Sequence, residues 1–161
     1  MRQLNAGIKN KLSRKEAGKD MKKIYKSAKI LIVDGDDNVL VLRRSSTHPW
    51  SALSPDLPGG IVEPDEELAI GATREVMEET GLVIRPDQLM KLYEMKDIKF
   101  QDAIINRIIY GVKLTDVKPG VTISWEHDHF RWMKIEDITG IEASNQVGIQ
   151  YIIDHNLLKT L

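Results

Sequence analysis

Three glutamates, Glu75, Glu78 and Glu79, stand at i, i+3 and i+4 in a stretch of helical periodicity. On a helix this spacing stacks three carboxylates on one ridge, where like charges repel by roughly a few tenths of a kcal/mol per pair. The negative end of the helix dipole adds to that penalty. A divalent cation reverses both. Ligands that offer only oxygen suit Mg2+ or Mn2+, which usually share their coordination with substrate phosphates. The chemistry implied is hydrolysis of a phosphate ester or anhydride. The competing reading is a solvated acidic face tempered by Arg74, which can pair with Glu78 four residues on.

The element that must carry these carboxylates is a helix from Glu66 to about Thr80. Leu68, Ala69, Ala72, Val76 and Met77 recur at spacings of three and four and form an apolar stripe expected to face a sheet. Pro64, Asp65 and the acids that follow suit its start, and Gly81 suits a left-handed cap at its end. Gly71 inside the helix costs roughly 1 kcal/mol relative to alanine, so a neighbouring strand or loop is expected to approach it closely.

Written out, the stretch is Gly60, five residues, Glu66, seven residues, then Arg74-Glu75-Val76-Met77-Glu78-Glu79-Thr80-Gly81-Leu82. It resembles the Nudix box, G-x5-E-x7-R-E-U-x-E-E-x-G-U with U aliphatic, at all nine specified positions. The resemblance implies a hydrolase that cleaves the pyrophosphate of a nucleoside diphosphate linked to a moiety X, using Mg2+ or Mn2+ and water. It makes Glu75, Glu78 and Glu79 metal ligands, joined by the Gly60 carbonyl, and places Glu78 among the catalytic residues. It also makes Glu66 and Arg74 a buried pair that orients the ligands; the plainer role for Glu66 is dipole compensation in the first turn. Asp65 stands where the family often has glycine, which bears on turn geometry more than on chemistry.

A second segment, Trp125-Glu126-His127-Asp128-His129-Phe130-Arg131-Trp132, is similar to the E-H-x-x-F-x-W run that many Nudix hydrolases carry after the box. In that setting Glu126 lies on a loop over the metals, as an extra ligand or the base that deprotonates water; otherwise it is a solvated loop glutamate. His127 and His129 lack an evident third nitrogen or sulfur ligand and read as surface or supporting histidines rather than a zinc site. Phe130 and Trp132 read as core.

The elements around the box follow from pattern. Ala28 to Val33 and Val39 to Arg44 are β-branched runs joined by Asp34-Gly35-Asp36-Asp37-Asn38 and predict a hairpin beneath the helix. Ser45 to Leu57 is a loop, and such loops commonly hold specificity residues. Arg43 and Arg44 close the second strand, where the family often has a basic residue toward the active-site rim, and one of the two is expected to face solvent; Arg44 and Trp50, a flat ring able to stack on a nucleobase, are the substrate-binding candidates. The family's aromatic residue before Leu57-Pro58-Gly59-Gly60 is replaced here by Pro55. Gln88 to Met95 and Ala103 to Leu114 predict two strands in the middle of the sheet, with a polar turn at Lys96 to Asp102 reaching toward the substrate. A short helical turn at Ile135 to Ile138 leads to a helix from about Asn145 to Lys159. Val147, Tyr151, Ile152, His155 and Leu158 form its stripe, Ser144 or Asn145 its cap, and it is expected on the sheet face opposite the first helix. The order implies an α/β fold, a Nudix-like α/β/α sandwich with a mixed sheet.

Composition narrows the class further. The 161 residues suit one domain with a proper core. The absence of cysteine excludes disulfides and thiol nucleophiles, and it weighs against isopentenyl diphosphate isomerases of this fold. No apolar run approaches the roughly twenty residues of a membrane span, so a cytoplasmic protein without membrane contact is expected. Residues 1–29 hold ten Lys or Arg against Glu16 and Asp20, within a chain of net charge −1. The expected organisation is therefore a basic extension over 1–23, with Leu4, Ile8 and Leu12 as a faint stripe, and a domain over 24–161, the segment from Met21 resembling a natural domain start. The extension reads as a loosely docked tail or as an arm for RNA.

The expected substrate is a small-molecule nucleotide, foremost a (d)NTP or oxidised (d)NTP. Hydrolysis of ADP-ribose or a nucleotide sugar, action at an RNA 5′ end, and a non-catalytic binding domain are the alternatives. Nothing in the chain decides between monomer and homodimer.

Overall fold

The computed structural model describes residues 22–161; the basic tail and the domain start read at Met21 lie outside them. Among the described residues, seven strands and two α-helices form the expected sandwich. The strands are β1 (Lys23–Val33), β2 (Val39–Arg44), β3 (Pro55–Asp56), β4 (Ile61–Val62), β5 (Met90–Phe100), β6 (Ala103–Lys113) and β7 (His127–Met133). The helices are α1 (Leu68–Thr80) and α2 (Ala143–Asp154). The sheet runs β3-β2-β1-β6-β5, with β4 beside β1 and β7 beside β2. Only β1 and β6 are parallel, in register from Lys23↔Ala103 to Val33↔Lys113, so the sheet is mixed.

The alternation of β1 sets the two faces. Ala28, Ile30 and Ile32 join Leu40, Leu42, Ala72 and Val76 under α1. Leu31 and Val33 join Val39, Val41, Ile109, Ile149 and Ile152 under α2. The hairpin is as expected, its turn held by Asp34, whose carboxylate accepts the Asp36 and Asn38 N–H groups at 2.9 and 2.8 Å. It closes only at Val33↔Val39. Beyond that pair β2 leaves β1 for β7 and β3, and the strands splay. The segment from Leu57 to Gly60 fills the wedge, its Pro58 and Gly60 carbonyls accepting the Ile30 and Ala28 N–H groups at 2.9 and 3.0 Å. This wedge is what positions the site.

Several expectations need correction. The first helix begins at Leu68 rather than Glu66, because Glu66 N–H turns back to the Glu63 carbonyl at 3.1 Å. Met77 is 54% exposed; Thr73 and Thr80 are buried in its stead, each hydroxyl satisfied by a carbonyl one turn back. Gly81 caps as expected, at φ 71° with its N–H on the Met77 carbonyl. Gly71 is explained too, since a Cβ there would lie 2.7 Å from both Val62 and Glu66.

In the back half, β5 continues to Phe100, so the expected polar turn over 96–102 shrinks to Gln101 and Asp102. That strand lies at the sheet edge, not the middle; β6 alone of the two is interior. The second helix starts at Ala143 and ends at Asp154, broken at Asn156 by a left-handed backbone of φ 52°. It buries Asn145, Gly148, Ile149 and Ile152, leaving Val147 and Tyr151 exposed. Two contacts rotate it. Gly148 sits where a Cβ would meet Ile109 at 2.4 Å, and the buried Arg107 guanidinium draws in Ser144 Oγ, Asn145 Oδ1 and Glu142 Oε2 at 2.6, 2.9 and 3.0 Å. The cap position therefore falls to Glu142. His155, expected partly buried in the stripe, is exposed and stacks on Tyr151. No helix among the described residues is long and apolar enough to cross a membrane.

Candidate active site

The last two turns of α1 lie against the wedge between β1 and β2. Glu79, on the ridge that faces the sheet, is 7% exposed and accepts the Gly59 N–H at 2.7 Å. Glu75 faces Gly60, where a Cβ would lie 3.0 Å from its Oε2, and accepts Arg74 Nη1 at 2.7 Å. Glu78 turns toward solvent and touches Arg74 only at 3.4 Å. Arg74 also grips Glu66 with two bonds of 3.0 and 2.9 Å, so one guanidinium ties the first turn of the segment to a ridge carboxylate. The box thus brings together Gly60, Glu66, Arg74, Glu75 and Glu79. The Gly60 carbonyl already accepts from Ala28, which leaves its second lone pair.

Glu126 reaches the same place by a separate route. The segment before it runs along the end of α1, with Thr122 N–H on the Thr80 carbonyl at 2.9 Å and Ser124 N–H on the Glu79 carbonyl at 3.1 Å. The Glu126 carbonyl then accepts the Ser45 N–H at 2.8 Å. Its side chain is half-buried and feels the charges of Lys29, Glu78, Arg44 and Asp56. His127, next in line, is buried with no protein partner at either ring nitrogen, and burial pushes its pKa down to about 4. His129 is exposed beside Arg131, so the two histidines do not converge.

The electrostatics single out the buried carboxylates. Burial pushes Glu79 up to about 8 against the opposing pull of Lys29 and the Gly59 N–H. Burial also raises Glu75, opposed by Arg74, and raises Glu126. Glu66 goes the other way, held low by its hydrogen bond to Arg74. Among the described residues no three acidic or imidazole side chains form a ready-made cation shell. The donor chemistry nevertheless fits a hard divalent cation. Glu75, Glu79 and Glu126 offer oxygen only, and their ionised forms bear a burial penalty that such a cation offsets.

A consequence for stability follows from Glu79. Well above 6.5, where His127 is neutral in folded and unfolded chain alike, and up to about 8, the folded chain holds a proton at Glu79 that the unfolded chain has released. In EDTA the melting temperature is expected to fall as pH rises through this window, and excess Mg2+ to reverse the fall. Melting curves at about pH 7.5 and 9, above the range in which His127 titrates, check this; a flat EDTA profile contradicts it.

Two residues that sequence reasoning gave no role stand at the centre of the wedge. Lys29 is 5% exposed and Asp56 3%. Their ion pair measures 3.0 Å, and Arg44 adds bonds of 2.8 and 3.0 Å to the same Asp56 oxygen. Burial works against the Asp56 charge, but Lys29 and Arg44 outweigh it and hold its carboxyl below the usual range. The available signal was Lys29 itself, the lone polar side chain in Ala28 to Val33. Of the two arginines that close β2, Arg44 is turned inward, its side chain 12% exposed, because Asp56 claims it. Arg43 is the exposed one, at 48%, and pairs with Asp128. Trp50 is half-buried on the loop, its ring edge-on to Phe100 with centroids 5.4 Å apart.

The structure thus presents a mixed sheet between two helices, with carboxylates from one of them, Glu79 buried and Glu75 half-buried, gathered at a glycine wedge. A family model described as the NUDIX domain matches residues 24–153, and the chain belongs to the Nudix family. Diphosphoinositol polyphosphate phosphohydrolase 2 of Homo sapiens is 30% identical over 118 residues, 73% of this chain and 61% of that protein. A MutT-like protein of Streptomyces ambofaciens is 38% identical over 64 residues, 40% of this chain and 38% of that one. This chain therefore spans less than two thirds of the length of these curated relatives. The crystal structure of a MutT protein from Methanosarcina mazei Go1 superposes with a TM-score of 0.73 at 27% identity, covering 84% of this chain and 96% of that one.

Proposed function

We propose that the chain is a pyrophosphohydrolase that cleaves a nucleoside diphosphate linked to X, foremost a (d)NTP or oxidised (d)NTP, to a nucleoside monophosphate and pyrophosphate. The observation that carries this reading is the buried Glu79 at Gly59, with the half-buried Glu75 at Gly60 and the half-buried Glu126, all three pushed up by burial. Glu75, Glu78, Glu79 and the Gly60 carbonyl would hold Mg2+ or Mn2+, which supplies charge neutralisation for the anhydride oxygens and makes water a better acid. Arg74, itself anchored by Glu66, holds the Glu75 carboxylate at a defined rotamer. Glu126 takes the proton from the attacking water; its raised pKa brings it nearer the working pH, as a general base requires. The Trp50 and Phe100 rings offer an apolar wall for the base. A cytoplasmic enzyme acting on free nucleotides is the setting this chemistry suits.

A second reading, a diphosphate on a non-nucleoside polyphosphate, is favoured by the likeness to the diphosphoinositol enzyme over most of this chain.

The test is a phosphate and pyrophosphate release panel of dNTPs, 8-oxo-dGTP, ADP-ribose, dinucleoside polyphosphates, a diphosphoinositol polyphosphate and triphosphorylated RNA. It is run with Mg2+ or Mn2+ on the full chain and on a version starting at Met21. The expected result is turnover of a (d)NTP to monophosphate by both versions, abolished by EDTA. Turnover of the inositol compound alone would establish the second reading. Loss of RNA turnover with the tail, together with a steep fall with salt, would instead make RNA ends the substrate.

A further inference from the structure

The Leu57–Gly60 segment has four successive carbonyls, and β1 satisfies all of them. A strand backbone can serve only alternate ones: Ile30 N–H donates to Pro58 and Ala28 N–H to Gly60. The other two, Leu57 at 2.9 Å and Gly59, accept from the Lys29 ammonium. Its third proton goes to Asp56, so every donor of a buried Lys is used. The peptides on either side of this clamp belong to the site. Gly59 offers its N–H to Glu79 and its carbonyl to Lys29, and Gly60 stands against Glu75.

We propose that Lys29 is a positioning residue for the carboxylate site: by fixing the Leu57 and Gly59 carbonyls it aims the Gly59 N–H at Glu79 and seats Gly60 beside Glu75. It acts through these peptides and does not touch the substrate. The role is distinct from that of a counter-ion to Asp56, which Arg44 already pairs through two bonds. The link to cation binding and turnover rests on the pyrophosphohydrolase reading of the same site; the clamp on Gly59 does not.

The test compares Lys29→Met with Asp56→Asn in the full chain. The latter removes the charge partner and leaves the two carbonyl acceptors. Three quantities are read: Mn2+ affinity by electron paramagnetic resonance, kcat and KM on the substrate found, and hydrogen exchange of the Gly59 amide by NMR. Lys29→Met is expected to weaken Mn2+ binding and lower kcat by about tenfold or more, as loss of an orienting partner does. KM is expected to hold nearly constant, and Gly59 exchange to quicken by a similar factor; Asp56→Asn is expected to shift all of these much less. A folded Lys29→Met protein with wild-type Mn2+ affinity and Gly59 exchange would overturn the proposal. So would an Asp56→Asn protein equally impaired, since Lys29 would then be a counter-ion. Should Lys29→Met not fold, Lys29→Gln, which keeps a donor for one carbonyl, carries the same measurements with the same criteria. If wild-type protein binds no Mn2+, the function reading fails, and Gly59 exchange alone decides the clamp: faster in the variant sustains it, unchanged removes it.

Discussion

Replacing Glu79 by glutamine is expected to lower kcat/KM by about a hundredfold or more while making the metal-free protein more stable at pH 8.5. The two effects have one origin. Glu79 is buried in the wedge with a single hydrogen-bond donor, the Gly59 N–H, and burial holds its pKa at about 8. At pH 8.5 the native chain carries this charge in a poorly solvated place, and without a cation nothing repays the cost in full. A glutamine oxygen still accepts from Gly59 and carries no charge. It therefore relieves the fold and removes the ligand, and losses of this kind run to about two orders of magnitude in rate. At pH 6 the wild-type carboxyl is protonated in the folded chain but ionised in the unfolded one, so the advantage of the glutamine is expected to shrink there and to vanish only below about 4.5. Steady-state kinetics with Mg2+, and melting in EDTA at both pH values, are the measurements. A variant that is less stable than wild type at pH 8.5, or that keeps its activity, would contradict the site as described.

Gly59→Ala is expected to destabilise the chain by about 3 kcal/mol or more. Gly59 has φ 112°, a conformation that side chains rarely adopt. A Cβ there would lie 2.3 Å from the Ala28 carbonyl oxygen and 3.1 Å from Lys29 Cα. Both are backbone atoms of β1, which is locked along its length to β6, so the strain has no cheap outlet. Gly60→Ala provides the contrast. Its Cβ would meet only the Glu75 carboxylate, at 3.0 Å, a side-chain end that can shift, so that stability falls less while Glu75 is displaced. Urea denaturation of both variants decides the matter; a Gly59→Ala midpoint close to wild type would mean that the wedge is looser than described.

Much of this was legible before folding. The box glutamates, the Gly81 cap and the Asp34 turn follow from rules that act over a few residues: helical spacing, a left-handed glycine, side chains that bond nearby backbone. Reading failed where two faces competed for burial. Met77 and Val147 are good apolar candidates by spacing, yet the buried positions beside them belong to threonines with satisfied hydroxyls and to Gly148, which lets α2 approach Ile109. Which of Arg43 and Arg44 turns inward was likewise not legible, because the partner of Arg44, Asp56, arrives on another strand.

Sequence alone determined the spacing of the box carboxylates and that a helix presents them, since carboxylate spacing on a helix is a local property. Tertiary structure decided which of them are buried, that Glu126 comes near Glu78 and Lys29, and that the Gly59 N–H bonds Glu79 while its carbonyl accepts from Lys29. Those contacts join residues 20 to 30 positions apart, or bring the end of α1 against the segment before β7. They exist only because the β1–β2 hairpin splays and admits the Leu57–Gly60 backbone, a consequence of strand pairing that no local pattern records.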